Sequence, residues 1–260
     1  PTPPTPPAQP APPSPPNPVL HMGGDPHARG AHRDTFDFKG QHLGIYVLLS
    51  TKFLSLAVQF VHEKFLTPFS KVWVRGSWIR HAYWTIRTNH GRLVKVQFDA
   101  HAPTLNGSAV PAQAAVDDVR LSYSSRGPIK TLIVVTRHWW TSVKASRGAP
   151  HWGTLRMSVD MQPLYDVTRD AVAPHGLLGQ TFDGDNLPMH GKRDSLVVLD
   201  SGNRTASRKG IGGLVTRHAM GEGAIEGTAE MYRIKSPFET RFPFSRFDAK
   251  HAKPRNTTHV

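Results

Sequence analysis

Asp183-Gly184-Asp185-Asn186 sets three oxygen-bearing side chains around a glycine turn, a composition able to hold a hard cation. Calcium takes about 6–8 oxygen ligands at about 2.3–2.6 Å, and short Asp/Asn loops supply them well. Asp37, Asp25 or a backbone carbonyl would have to complete the shell. The same loop also suits an ordinary turn, in which Asp and Asn side chains bond their own backbone. The 15 histidines invite a metal reading, and His21, His27, His32 and His42 lie close in sequence. None has a ligand spacing such as His-Glu-x-x-His, since His62-Glu63 lacks the second His, so they read as scattered surface or core residues. Gly221-Glu222-Gly223-Ala224-Ile225-Glu226-Gly227 is glycine-rich but lacks the Lys-Ser/Thr ending of a phosphate loop, and its acids would repel phosphate. It reads as a turn before a strand at 228–234. There is neither a Gly-x-Ser-x-Gly elbow nor a cysteine nucleophile. A glycan hydrolase would need two carboxylates about 5–10 Å apart across a cleft. Asp117, Asp118, Asp160, Asp166 and Glu230 are available, but sequence spacing cannot pair them.

The elements that must position these groups read as strands. Leu54, Leu56, Val58 and Phe60 alternate onto one face of 54–60. Val94, Val96 and Phe98 do the same against Lys95 and Gln97. Leu155, Met157, Val159 and Met161 oppose Arg156, Ser158 and Asp160. Period-2 alternation marks half-buried strands. Further strands are expected at 44–50, 71–75, 78–87, 129–137, 195–199 and 225–234, separated by Gly/Pro/Asn turns such as Asn89-His90-Gly91 and Asn106-Gly107. No long segment of helical period appears. The fold expected is all-β: a single antiparallel β-sandwich or barrel-like domain behind an extended polyproline II segment. Of the tryptophans, Trp139 and Trp140 must point to opposite faces if a strand carries them, leaving one for surface contact.

Residues 1–18 hold 11 prolines. Fixed φ and missing N–H groups exclude helix and sheet there, leaving a rod of about 3 Å per residue and about 50–55 Å in all. The expected organisation is a stalk at 1–21, a β domain at 22–248 and a basic polar tail at 249–260. The chain begins at Pro1 and reads as a processed or trimmed product. The formal charge is +13, from 32 Lys+Arg against 19 Asp+Glu, spread without a like-charge block. That bias favours polyanions, acidic polysaccharide first. Nucleic acid is not expected as a partner, because no recognition motif appears and the cations are not interleaved with aromatics as in single-strand binders. No stretch has the ~20 apolar residues that would span a bilayer as a helix. With no cysteine, disulfides and thiolate metal sites are excluded. Asn106-Gly-Ser, Asn203-Arg-Thr and Asn256-Thr-Thr are glycosylation sequons in expected turns or the tail.

Gly24-Asp25-Pro26-His27, then Thr35-Phe36-Asp37-Phe38-Lys39-Gly40, then Gly44-Ile45-Tyr46-Val47-Leu48-Leu49-Ser50, resembles the opening of von Willebrand factor type D domains. Pro174-His175-Gly176-Leu177-Leu178-Gly179-Gln180-Thr181-Phe182-Asp183-Gly184-Asp185 is similar to that family's Gly-Leu-x-Gly-Asn-Phe-Asp-Gly segment. It is closer still to a plant root-cap, late-embryogenesis-like branch carrying His-Gly-x-x-Gly-Gln-Thr. The stalk resembles hydroxyproline-rich cell-wall glycoproteins, which would imply hydroxylated and O-glycosylated prolines. The resemblance places a calcium loop at 183–186. It also implies self-cleavage at Asp25-Pro26, where the Asp carboxylate attacks its own carbonyl carbon and the proline nitrogen leaves. The alternative there is a tight turn leading into a strand. Two departures stand out: the family's cysteines are missing, and His32-Arg33 replaces an Asp-Gly that supports calcium binding. The reading taken forward is a secreted, non-enzymatic structural or adhesive glycoprotein of the cell surface or wall. It would assemble with itself, with other extracellular glycoproteins or with acidic polysaccharide. The alternatives are a glycan hydrolase and a basic nucleic-acid binder.

Overall fold

The alternation carries through into strands. Leu54, Leu56, Val58 and Phe60 are all buried along one face, as are Val94, Val96 and Phe98, and Met157, Val159 and Met161. The computed structural model describes residues 17–24, 26–66, 73–147, 155–167, 170–198 and 214–247. The expected tail 249–260 and most of the stalk lie outside the described residues.

The chain opens with β1 (Leu20–Gly23), β2 (His27–Arg29) and β3 (Thr35–Asp37), joined antiparallel. A second run is β4 (Ile45–Ser50), β5 (Leu54–Leu66), β6 (Trp73–Arg87), β7 (Leu93–Phe98), β8 (Pro103–Leu105) and β9 (Ser108–Ala109), each pairing the next. A third is β10 (Gln113–Val116), β11 (Val119–Arg126), β12 (Ile129–Val135), β13 (Trp139–Arg147) and β14 (Leu155–Pro163), again paired in order. Then come β15 (Ser195–Val198), β16 (Leu214–Arg217) and β17 (Arg233–Ile234). Short hairpin loops favour antiparallel neighbours in sequence order. The runs join where β14 pairs with β1 along Leu20–Met161 to Met22–Val159 and touches β6 at Met157–Ile79. β16 adds to β6 in parallel, and β17 pairs with β4. The product is the expected all-β body, one antiparallel sheet curled into a half-barrel.

Its interior is a single apolar cluster that includes Phe36, Phe38, Leu48, Trp84, Phe98, Leu132, Trp139, Leu177 and Tyr232. Trp84 spans it, donating from Nε1 to Thr141 Oγ1 at 3.0 Å, and Thr141 in turn donates to the Val134 carbonyl at 3.0 Å. A buried indole N–H needs such a partner. β4 to β6 are buried on their other face as well, where Ile45, Val47, Ala57, Tyr83 and Ile234 cluster under Phe238 and Phe242. The segment after β17 therefore covers the back of the sheet. Trp139 is buried and Trp140 lies half-exposed on the outer face, as alternation along β13 requires.

Three details differ from expectation. The strands expected at 71–75 and 78–87 are one strand, β6, running through Gly76. The body begins before residue 22: β1 starts at Leu20, and Asn17 is hydrogen-bonded to the end of β14. The strand expected at 225–234 is a 3₁₀ turn at Ala229–Tyr232 followed only by β17. There Met231 N–H closes a turn on the Thr228 carbonyl at 3.0 Å. The Tyr232 hydroxyl sits 2.9 Å from both Gln180 Oε1 and the Glu226 carbonyl. That anchor outweighs a weak local alternation.

Candidate functional site

The two landmark segments meet on β4. The β4–β5 register slips between Val47 and Leu49, a bulge that turns carbonyls away from the ladder. Leu177 N–H donates to the Val47 carbonyl and Leu178 N–H to the Leu48 carbonyl, each at 2.9 Å. His175 and Ser50 exchange both backbone bonds, at 2.6 and 2.9 Å. Gly176 makes this approach possible: its φ is +102°, and a Cβ there would lie 2.7 Å from the Leu48 backbone. His175 is buried between these strands and the C-terminal segment, stacked on Phe244 at 4.5 Å, with Nε2 3.0 Å from Glu226 Oε2. Thr181 Oγ1 accepts from Ala31 N–H at 2.9 Å and donates to the Leu178 carbonyl at 2.7 Å. The buried Asp34 accepts from His32 N–H and Met189 N–H. The His-Gly-x-x-Gly-Gln-Thr pattern is thus the tie between β4, the 30–34 turn and the 189–226 segment.

Beside this tie lies a network of buried charges. Asp37, at the end of β3, is 2% exposed. Its Oδ1 lies 2.6 Å from His27 Nδ1 and accepts from Arg193 at 2.9 Å, and its Oδ2 accepts from Asp194 N–H at 2.9 Å. Burial pushes this carboxyl up, but those donors outweigh it and hold Asp37 below the ordinary carboxylate range. Lys39 is 0% exposed, and its Nζ lies 2.7 Å from Asp194 Oδ2. Asp194 also accepts from Ala219 N–H at 2.9 Å and faces His218 at 3.8 Å. Burial raises the Asp194 carboxyl, while His218, Lys39 and the Ala219 N–H together lower it further. The His218 ring lies 4.8 Å from His62, which in turn lies 5.7 Å from His42. Two carboxylates kept ionised against cations are poor proton donors and good structural clamps. This network fastens β3 and the following turn to 192–194 and 218–219.

Of the expected calcium set, Asp37 is committed elsewhere, since both its oxygens already accept from cationic or backbone donors. Asp183 Oδ1 accepts from Asp185 N–H at 3.3 Å, and Asp185 Oδ1 from Leu187 N–H at 2.8 Å. These are the bonds of an ordinary Asx turn. His32 Nε2 lies 3.7 Å from Asp183 Oδ1, so an imidazole and not a second carboxylate faces that loop. Asn186 is exposed, with φ +59°. Among the described residues no group of three or more His, Asp or Glu side chains converges on a point.

Pro26 is buried, and its carbonyl accepts Phe38 N–H at 3.0 Å, while Asp25 lies outside the described residues. Asn106 sits exposed at the tip of the β8–β9 hairpin with φ +50°. Its Oδ1 accepts Lys95 N–H at 2.9 Å, leaving the amide nitrogen, the atom a glycan would join, turned away from that bond. Asn203 and Asn256 lie outside the described residues. Of the carboxylates considered for hydrolysis, Asp117 and Asp118 share the β10–β11 turn, while Asp160 and Glu230 sit on other elements. Asp117 pairs with Arg92, Asp118 accepts Asn89 N–H, Asp160 lies by His21 on the outer face of β14, and Glu230 pairs with Arg233. Among the described residues no helix is long and apolar enough to cross a membrane.

Sequence reasoning found Asp37 but missed Lys39, Arg193, Asp194 and Glu226. The available signal was a charged pair, Asp37 and Lys39, alternating with Phe36 and Phe38. No family model matches the chain, and no curated protein matches it.

Proposed function

We propose that this chain is an extracellular structural or adhesive glycoprotein module: a proline-rich stalk carrying a rigid β head that assembles with its own kind, with other extracellular glycoproteins or with acidic polysaccharide. The observation that carries the reading is Asn106, a glycosylation sequon asparagine that lies exposed at a hairpin tip, where its side-chain oxygen accepts Lys95 N–H. Three features support it. The head is held by an apolar interior and buried ion pairs, so it needs no disulfide. Its most buried ion pairs, those of Asp37 and of Lys39 with Asp194, are engaged in clamping segments together. The segments at 24–50 and 174–186, which bear the resemblance to type D domains, pack against each other through β4. The formal charge of +13 would draw the head to acidic glycans through a screened, long-range field.

Expression through a secretory pathway tests the reading. The proposal expects a mass excess removed by N-glycosidase, reduced in Asn106→Gln, and salt-sensitive retention on an acidic polysaccharide column. Unmodified Asn106 in a secreting host, together with no retention at low salt, would refute it.

A further inference from the structure

We propose that Ser158, His21 and Asp160 form a nucleophilic triad on the outer face of the half-barrel and hydrolyse carboxylic esters, an activity independent of the adhesive role. Alternation along β14 sets two of the three. Met157, Val159 and Met161 are buried inside, so Ser158 and Asp160 stand together on the outer face. β1 supplies the imidazole, because its register places His21 directly opposite Asp160. His21 Nδ1 lies 2.6 Å from Asp160 Oδ1. A carboxylate can only accept, so Nδ1 carries the proton, and in the neutral ring Nε2 keeps its lone pair, the form of a general base.

Nucleophile and base meet over Gly23. Ser158 Cβ lies 2.7 Å and His21 Nε2 2.9 Å from the point where a Gly23 Cβ would stand. The missing side chain thus leaves one shared space above the glycine, with the serine and the second ring nitrogen both at its border. Among the described residues Ser158 Oγ makes no hydrogen bond, so rotating it about χ1 toward Nε2 breaks none. Nucleophile–base bonds are often loose until substrate arrives. On the other side of β14, β13 places Lys144 opposite Ser158, exposed and without an ion-pair partner among the described residues. Its long stem lets the ammonium sit against a developing oxyanion. The His21 and Asp160 side chains are 39% and 35% exposed, so an acyl ester carried on a larger molecule has access to the ring.

In the first step Ser158 Oγ bonds to the ester carbonyl carbon while its proton passes to His21 Nε2, and the carbonyl π pair moves onto the oxygen beside Lys144. The tetrahedral adduct collapses, the bond from carbon to the alcohol oxygen breaks, and that oxygen takes the proton from Nε2. Water then adds to the acyl-serine and gives its proton to Nε2. Ser158 Oγ leaves and recovers a proton from the same nitrogen. The net reaction is ester plus water to carboxylic acid plus alcohol. Asp160 touches no reacting atom. It is a positioning residue that fixes the tautomer of His21 and supports the imidazolium.

A fluorophosphonate probe on the full-length protein, followed by peptide mass spectrometry, tests the proposal. One phosphonyl group is expected on Ser158, together with p-nitrophenyl acetate turnover that falls at least about tenfold in Ser158→Ala. Asp160→Asn should lower kcat about tenfold with KM unchanged, which loss of a structural contact alone would not do. His21→Gly should lose both labelling and turnover, and added imidazole should restore part of the turnover. All three residues lie on the outer face, and an unchanged urea midpoint checks that each variant is folded. Three outcomes overturn the proposal: no label on Ser158, turnover unchanged in Ser158→Ala, or labelling that His21→Gly and Asp160→Asn leave at the wild-type rate, which would mean an exposed serine beside an ordinary ion pair.

Discussion

Replacing Gly176 by alanine should damage this protein far more than the same change at Gly184, eight positions along the same segment. Both glycines have positive φ, +102° and +82°, so both substitutions strain the backbone. Both also narrow the unfolded ensemble by the same amount, a stabilising effect of about 0.4–1 kcal/mol that cancels in the comparison. The neighbours differ. A Cβ at Gly184 meets nothing within 4 Å, whereas at Gly176 it lies 2.7 Å from Leu48 C and O and 2.9 Å from Leu49 N. Those atoms are backbone inside a central strand and cannot swing aside. Relief requires 175–178 to lift from β4, loosening the bonds to Val47, Leu48 and Ser50 at about 1 kcal/mol each. Backbone strain alone costs about 1–2 kcal/mol, so Gly184→Ala should stay in that range. Gly176→Ala should reach about 3–5 kcal/mol, a large part of an ordinary domain's stability. Urea unfolding followed by tryptophan fluorescence, at unchanged m-value, measures both. Equal costs at the two positions would refute the claim that this segment is pressed against β4.

Other expectations follow from the same geometry. Lys39→Met and Asp194→Asn should each cost about 3–5 kcal/mol, because each strands a buried charge, whereas the double variant should cost clearly less than the sum; additive losses would contradict a direct ion pair. Asp37 and Asp194 have folded-state carboxyl pKa values below the ordinary one, so their stabilisation is present above about pH 4 and disappears as pH falls through the lowered folded values. Asp37→Asn should therefore be destabilising at pH 7, with a deficit that shrinks as pH falls below about 4, read from denaturant midpoints; a deficit that stays constant with falling pH would dispose of the electrostatic account. Chelation with EDTA should leave the melting temperature unchanged, and calcium should not raise it; a rise that Asp185→Asn abolishes would restore a calcium site at 183–186.

Much of the fold was legible because a strand's side-chain period is short and local. β5, β7 and β14 could be read from alternation alone, and the opposed fates of Trp139 and Trp140 follow from two adjacent residues on one strand. The 225–234 segment was not legible, because its conformation is set by Tyr232 reaching Gln180, 52 residues away in sequence. The candidate calcium set illustrates the same limit. Asp183 and Asp185 bond within their own turn, which a local reading allowed. Asp37 was taken by Arg193 and the Asp194 N–H, partners more than 150 residues distant that no spacing rule could supply.

By itself, then, the chain's order of residues determined the strand character of the head and the exclusion of disulfides and thiolate chemistry, since each depends on backbone freedom or residue type within a few positions. Only the tertiary structure decided which charges face each other and why Gly176 must be glycine. Those depend on the curl of the sheet, which brings β4 under 175–178 and Lys39 against Asp194. Such contacts form between segments whose separation along the chain carries no information about distance in space.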